Sequence, residues 1–204
     1  MTRMYVATKA GEETLLEEAA LLHAVRNRWP GRTFATTNKT RKARLDGIIL
    51  QGNDITGAFE VRCRQQTVEK FRSSFNNELM ITAEKFHASI DGTSTLLRTT
   101  YILFLYLVPS ALACFFEIAD HDGNIKRKYR EAEKLASEAC DAKDVKVMRL
   151  NAFVDISGVK WFGVKPWRQL EEEGHELPRP MGSGREADSG GEDDPPPLPD
   201  TADA

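Results

Sequence analysis

The sequence is poor in cysteine and lacks the spacings that cysteine-based sites need. Its 204 residues include only Cys63, Cys114 and Cys140, and no two of them form a CxxC or CxxH pair. Zinc sites depend on such pairs, and disulfide frameworks depend on an even set of cysteines. The sequence therefore supports neither kind of site, and it favours a reducing, cytoplasmic location.

The chain also lacks a long apolar run. The first ten residues have no apolar core of the kind that a signal peptide needs. The most apolar stretch, residues 101–116, is shorter than a usual membrane span and contains Pro109. Two buried strands around a turn at Pro109 and Ser110 explain this stretch better than a membrane helix does. We therefore expect no membrane association.

Basic charge is scarce at one end of the chain. From residue 171 onward, 11 acidic residues face only Arg179 and Arg185, although the whole chain carries a net charge of -3. The preceding part has a balance of +6, which is compatible with a nucleic-acid ligand. Beyond Trp167 the composition changes to Pro, Gly, Glu and Asp, which cannot bury enough apolar surface to fold. We predict one domain over residues 1–168 and an acidic, disordered tail over residues 169–204.

The first half of the chain predicts a helix followed by a hairpin. Residues 12–29 place apolar side chains at helical spacing and end at Pro30-Gly31. Residues 45–50 and 55–64 suit two strands, with Gly52-Asn53-Asp54 as the turn between them. A helix with Thr67 as its N-cap follows over residues 67–78, and then a short buried strand over residues 79–82.

The second half predicts a further helix, a second hairpin and a final helix and strand. Part of residues 84–98 is predicted to be helical, and residues 101–107 and 113–118 form the hairpin. Residues 129–142 are rich in Ala, Glu and Lys and predict a surface helix, whereas residues 145–156 alternate like an edge strand. The expected class is α/β, in the α+β sense, with a mixed central sheet flanked by helices.

Two carboxylates fall on the first predicted hairpin. Asp46 lies on the first predicted strand and Glu60 on the second. Because alternate side chains of a strand share a face, Phe59 and Val61 face the core and Glu60 lies on the opposite face. Carboxylate oxygens are the natural ligands of Mg²⁺, which completes its shell with water and substrate phosphate oxygens. Such an ion activates water and offsets negative charge on a phosphate.

Basic residues surround this pair in the sequence. They precede Asp46 or lie on the strand of Glu60, where a phosphodiester would have to bind, and we predict that they contact DNA: Lys39, Arg41, Lys42, Arg44 and Arg64. A run of this kind is usually a solvated loop. The two carboxylates also have ordinary structural interpretations. Asp46 before Gly47 is typical of a strand end or a turn, and Glu60 is typical of a solvated strand residue that pairs with Arg44 or Arg62.

Residues 45–49 (LDGII) and 57–62 (GAFEVR) together resemble the core motif of the PD-(D/E)XK nuclease superfamily, and the chain is most similar to its small, phage-like members. Residues 149–153 are similar to the C-terminal strand of those proteins. The resemblance implies a restriction-endonuclease-like core of order α-β-β-β-α-β, here with added C-terminal hairpin strands and the tail. It also implies hydrolysis of DNA, and members often act as homodimers.

The resemblance assigns roles to individual residues. It implies that Asp46 and Glu60 bind Mg²⁺, or Mn²⁺ in its place, together with the backbone carbonyl of Val61. It implies that Glu18 supports the metal or its water, although a solvated acidic helix face explains Glu18 equally well. The family's lysine is replaced by Arg62, whose guanidinium stays charged where an ammonium can lose a proton. Lys85 is the alternative source of an ammonium.

Three functions remain open at this point. The first is a Mg²⁺-dependent nuclease with water as its nucleophile. The second is a non-catalytic protein of the same fold that binds nucleic acid or a protein partner, which the replacement of lysine by Arg62 favours. The third is an interaction module whose acidic tail binds a protein partner. The tail, opposite in charge to the body, is also expected to compete with DNA for the basic surface.

Overall fold

The computed structural model describes residues 9–37, 45–137 and 146–177. The helices are α1 (Lys9–Arg28), α2 (Val68–Phe75), α3 (Ala83–Asp91), which continues as a π-helical segment (Gly92–Leu97), and α4 (Trp167–Glu172). The strands are β1 (Arg32–Thr36), β2 (Gly47–Gln51), β3 (Asp54–Arg64), β4 (Glu78–Thr82), β5 (Thr100–Leu107), β6 (Leu112–Ala119), β7 (Tyr129–Ser137), β8 (Lys146–Asp155) and β9 (Phe162–Gly163). A mixed α+β fold results, with helices flanking the main sheet, as the sequence predicts.

The main sheet has six strands in the order β1-β2-β3-β5-β6-β9. All neighbours are antiparallel except β3 and β5, which run parallel, with Glu60 opposite Leu103. A parallel pair needs a crossover connection, and α2, β4 and α3 provide it here. Both predicted hairpins, β2 with β3 and β5 with β6, are confirmed.

The main sheet is covered on both faces. Helix α1 packs its buried Leu21 and Val25 with Phe59, Val61 and Phe104 on one face. On the other face, α2, α3 and strands of a second sheet pack against β5 and β6 around a core that includes Phe86 and Leu103. The second sheet has the order β4-β8-β7. A polar side chain in the middle of β3 is therefore removed from water, as Glu60 is.

Glycine is required where β2 begins. A Cβ atom added to Gly47 would lie 2.4 Å from the carbonyl oxygen of Ala35 and 2.4 Å from the ring of Phe59. No larger residue fits at this distance, because the pleat already brings the Phe59 ring over the β2 backbone. The close approach of β1, β2 and β3 at Gly47 fixes the position of the residue before it, Asp46.

Several sequence predictions agree with the structure, and two are wrong. Thr67 caps α2 by accepting a hydrogen bond from the Lys70 backbone N–H, and residues 78–82 form a strand. Residues 129–137, predicted to be helical, form β7, because all nine residues pair with β8. Strand β8 lies between β4 and β7 and is not an edge strand. The remainder of the predicted helix, residues 138–145, lies outside the described residues.

Part of the predicted tail packs on the domain. Helix α4 extends to Glu172, and Leu170 and Leu177 are buried in the same core as α1. Residues 178–204 lie outside the described part of the chain. Within the described residues, no helix has both the length and the apolar character that a membrane crossing requires.

Candidate active site

Asp46 is held beside β3 by backbone contacts and by its own side chain. Its backbone N–H donates to the carbonyl oxygen of Phe59 at 2.9 Å, and its carbonyl oxygen accepts from the Thr37 N–H at 2.9 Å. The Oδ2 atom of Asp46 accepts a hydrogen bond from the backbone N–H of Val61 at 2.8 Å. The carboxylate therefore lies next to the β3 segment that contains Glu60.

Glu60 is fully buried in the middle of β3, with a relative exposure of 0%. Its Oε2 atom accepts a hydrogen bond from the hydroxyl of Tyr101 on β5 at 2.9 Å. Its Oε1 atom forms ion pairs with the Arg62 guanidinium and with Lys85 Nζ, which lies 3.2 Å away. Three elements, β3, β5 and α3, thus meet at one carboxylate.

The partners of Glu60 offset the cost of burying its charge. An unpaired carboxylate inside a protein costs several kcal/mol, whereas close cations and hydrogen-bond donors recover much of that cost. The pKa of Tyr101 is raised well above its ordinary value, first by burial and then by the negative charge of Glu60. Tyr101 therefore stays protonated and remains a hydrogen-bond donor to Glu60.

Two atoms of this cluster keep unused hydrogen-bonding capacity. Glu60 Oε1 and Arg62 Nε are buried, and neither makes a hydrogen bond of normal geometry, although Glu60 Oε1 lies close to both cations. Buried polar atoms are usually satisfied, and those that are not often mark a place for an ion, a water or a ligand. The cluster is therefore suited to bind something further.

The oxygen donors at this place fit Mg²⁺. Asp46 and Glu60 supply carboxylates, and the Oε1 of Glu60, which is ion-paired with Arg62 and Lys85 but makes no hydrogen bond of normal geometry, is an acceptor of the kind that a hard cation takes. The described part of the chain contains no group of three or more His, Cys, Asp or Glu residues that would form a complete metal cage. A two-carboxylate set fits Mg²⁺ nonetheless, because this ion usually retains several waters.

The cations beside Glu60 differ in their surroundings. The side chains of Arg62 and Lys85 are 25% and 29% exposed, so each reaches solvent while contacting the buried carboxylate. Arg64 lies two residues further along the same face and donates from Nη2 to the carbonyl oxygen of Met80 at 3.2 Å. Burial, followed by the positive charge of Arg62, lowers the pKa of Arg64 from its ordinary value.

Helix α1 contributes a glutamate elsewhere. Glu18 is half-buried on α1, and α1 covers the face of Phe59 and Val61, opposite the face to which Glu60 points. The neighbouring Glu17 is 8% exposed and accepts a hydrogen bond from Gln65 Nε2 at 2.7 Å. Burial raises the pKa of Glu17, and the hydrogen bond from Gln65 opposes that shift.

Sequence reasoning did not identify Tyr101 or Glu17 as members of these clusters. Tyr101 stands at the start of an apolar strand. Its hydroxyl group could have indicated a polar partner nearby, because a buried tyrosine hydroxyl normally forms a hydrogen bond. The parallel pairing of β3 with β5, which brings it to Glu60, has no local signature. Four residues of the predicted DNA-binding set, Lys39, Arg41, Lys42 and Arg44, lie outside the described residues.

The candidate site thus consists of Asp46, immediately before β2 and bonded to the Val61 N–H, and of the buried Glu60 on β3 with its two cations from β3 and α3. Comparisons of the chain with models of protein families, with curated proteins and with solved structures found no match.

Proposed function

We propose that this protein is a Mg²⁺-dependent nuclease that hydrolyses phosphodiester bonds of DNA with a metal-activated water. The observation that carries the proposal is that Asp46 Oδ2 accepts from the backbone N–H of Val61, the residue after Glu60, while Lys85 Nζ lies 3.2 Å from Glu60 Oε1. Carboxylates for the metal and an ammonium for the water or phosphate are the groups that this chemistry needs.

The element order supports the finer assignment to a restriction-endonuclease-like fold. Helix α1, strands β1 to β3, helix α3 and strand β5 follow the order α-β-β-β-α-β, with α2 and β4 as an insertion. Strand β5 lies beside β3, the strand that carries Glu60, and runs parallel to it. The first motif segment of the sequence, residues 45–49, leads into β2 and the second, residues 57–62, lies on β3, which supports the resemblance to the PD-(D/E)XK superfamily.

Asp46, Glu60 and the carbonyl oxygen of Val61 are the groups that would hold Mg²⁺. In an antiparallel pair, the N–H and the C=O of one residue point toward the same neighbouring strand. The Val61 N–H donates to Asp46 Oδ2, which favours a carbonyl oxygen on that side too. When bound, the ion would supply an activated water and offset the charge that builds on the phosphate.

Three further residues, Tyr101, Lys85 and Arg62, orient Glu60 or supply positive charge beside it. Tyr101 fixes the orientation of Glu60 through its hydrogen bond to Oε2. Lys85 places an ammonium where it can orient the attacking water, the role of the lysine that Arg62 replaces. Arg62 keeps a permanent positive charge beside the same carboxylate, suited to a phosphate that gains negative charge.

Metal binding and cleavage test the proposal separately. We expect the wild-type chain to bind Mn²⁺ in a calorimetric titration and to cleave DNA. Asp46→Asn is expected to weaken metal binding and to slow cleavage by roughly 100-fold or more, the scale of losing one electrostatic stabiliser. Asp54→Asn is the matched control, because Asp54 is exposed at the start of β3. Absence of metal binding, together with intact single-stranded, duplex and branched DNA at stoichiometric protein, would refute the proposal.

A second candidate is a protein of the same fold that binds nucleic acid without cutting it. The full burial of Glu60 and its ion pairs with Arg62 and Lys85 favour this function, because a carboxylate neutralised from within needs no metal. Cleavage that Asp46→Asn abolishes, with fold and DNA binding retained, would exclude it. DNA binding that persists in the presence of a chelator, without cleavage under any metal, would support it.

A further inference from the structure

A cavity of about 270 Å³ lies between the end of β3, α2 and the second sheet. Its lining includes Arg64, Met80, Arg130, Lys134 and Phe153. Arg64 belongs to the same strand and the same face as Glu60. The cavity therefore continues the face of β3 that carries the proposed site.

Arg64 is a partly buried cation that makes no ion pair with an acidic side chain of the described residues. Its hydrogen bond goes to the carbonyl oxygen of Met80, and its interaction with a carboxylate is the longer-range attraction to Glu60. Burial, followed by the like charge of Arg62, lowers the pKa of Arg64, and Cys63 and Glu60 oppose the shift. A further anion beside Arg64 would therefore favour its charged form.

Lys134, which makes no ion pair with another described residue, adds a second cation to the cavity. Its ammonium lies 5.7 Å from the centre of the Phe153 ring, and Arg130 lies 4.3 Å from the same ring. Arg130 is neutralised by Glu78 through two hydrogen bonds of 2.9 and 2.6 Å. With that pair cancelled, Arg64 and Lys134 leave the cavity with two net positive charges.

The distance from Glu60 to Arg64 suits a nucleic-acid strand. Four residues along a strand span about 13 Å. One strand of B-form DNA rises about 3.4 Å per nucleotide, so this span corresponds to about four nucleotides. A phosphate in the cavity and the bond to be cut at Glu60 are therefore compatible with one continuous strand.

We propose that the cavity is a phosphate subsite, in which Arg64 and Lys134 bind a phosphate of the substrate strand a few nucleotides from the bond at Glu60. Arg64 supplies the planar donor fork that matches phosphate oxygens, and Lys134 supplies a flexible point charge. The apolar wall at Met80 and Phe153 accommodates the sugar that follows. This proposal rests on the proposed function for its substrate class, but not on cleavage.

Binding of short oligonucleotides tests the subsite without metal. Fluorescence anisotropy is measured for the full chain with single-stranded and duplex 12-mers that carry either a 5′-phosphate or a 5′-hydroxyl, in the presence of EDTA. We expect Arg64→Gln and Lys134→Gln each to weaken binding several-fold and to reduce the salt dependence of log K by about one unit. Lys128→Gln, the same charge change at an exposed position on the approach to β7, is the matched control.

The two 5′ ends separate two sources of the phosphate. Equal loss of affinity for both ends assigns an internal phosphodiester to the subsite, and a loss confined to the 5′-phosphate assigns a terminal group. Wild-type affinity and salt dependence in both variants would overturn the proposal. Because the titrations contain EDTA, a chain that never cleaves DNA can still bind phosphate in this cavity, so the two proposals fail separately.

A stability measurement separates a binding role of Arg64 from a structural one. Arg64→Gln removes a partly buried charge, so we expect it to unfold at the same or a higher temperature than the wild type. Inorganic phosphate is expected to raise the unfolding temperature of the wild type more than that of Arg64→Gln. A lower unfolding temperature of Arg64→Gln, with an unchanged response to phosphate, would assign Arg64 to the fold alone.

Discussion

The hydroxyl of Tyr101 is the contact of the buried Glu60 that is simplest to remove. Tyr101→Phe deletes the 2.9 Å hydrogen bond to Glu60 Oε2 and keeps the ring in the core. A buried carboxylate oxygen without its donor costs about 1–3 kcal/mol, so we expect this loss in the free energy of unfolding, measured with urea. Tyr129→Phe is the control, because Tyr129 is 38% exposed and should change stability by less than about 0.5 kcal/mol. Equal effects of the two variants would contradict the hydrogen bond from Tyr101 to Glu60.

Glu17 gives a pH dependence of the opposite kind to that of a salt-bridged acid. Burial raises its pKa above the ordinary 4.5, so its contribution to stability is present below that pH and is lost as the pH rises through the folded-state value. Glu17→Gln retains an oxygen that accepts the hydrogen bond from Gln65 and cannot ionise. We expect the variant to be more stable than the wild type at pH 7 and equal to it near pH 4, measured by thermal unfolding. If the stability of Glu17→Gln relative to the wild type were lower at pH 7 than at pH 4, the raised pKa of Glu17 would be contradicted.

At the scale of elements, local patterns predicted much of the chain and failed where pairing is long-range. The hairpin of β2 and β3 follows from two apolar runs around Gly52-Asn53, and α2 follows from its cap at Thr67. Strand β7 was predicted to be helical because Ala, Glu and Lys favour helices, yet its pairing with β8 outweighs that preference. Without β7 in a sheet, no local signal reveals the second sheet. The position of Asp46 beside the strand of Glu60 was therefore predictable from sequence, whereas the burial of Glu60 was not.

Helix α4 packs on α1 beside His23 and His175, and we expect this packing to depend on pH. The rings of His23 and His175 lie 4.8 Å apart, and burial, His175 and Arg26 lower the pKa of His23, while Glu173 opposes the shift and Lys165 adds to it. A lowered histidine pKa gives stability that is present above the ordinary value of 6.5 and is lost as the pH falls through the folded-state pKa.

We therefore expect the rate of amide hydrogen exchange of residues 167–177, corrected for intrinsic rates, to rise when the pH is lowered from 7.5 to 5.5. His23→Gln removes the titrating group and is expected to flatten this dependence. His87→Gln, on α3 and 51% exposed in the wild type, should leave it unchanged. The same increase in His23→Gln as in the wild type would assign the effect to other groups.

Over the whole molecule, the last residues are acidic and the preceding part is basic. The packing of α4 shows where the chain can be shortened to remove the acidic part without disturbing the fold. Residues 178–204 hold seven acidic and two basic residues, so a chain that ends at Leu177 has a net charge of +2 in place of -3. This end retains α4 and the buried Leu177, which an end at residue 171 would remove. We expect the shortened chain to unfold at the wild-type temperature and to bind DNA several-fold more tightly at 50 mM salt, because opposite charge no longer competes for the basic surface.

Salt decides whether that gain is electrostatic. The Debye length shortens from about 14 Å at 50 mM to about 7 Å at 200 mM salt, so the difference in affinity between the full and the shortened chain should diminish at the higher concentration. A full-length variant with Asn and Gln in place of the seven acidic residues separates charge from bulk. It should bind DNA like the shortened chain if charge is responsible. Affinity equal to that of the wild type in both altered chains, at both salt concentrations, would contradict competition between these residues and DNA.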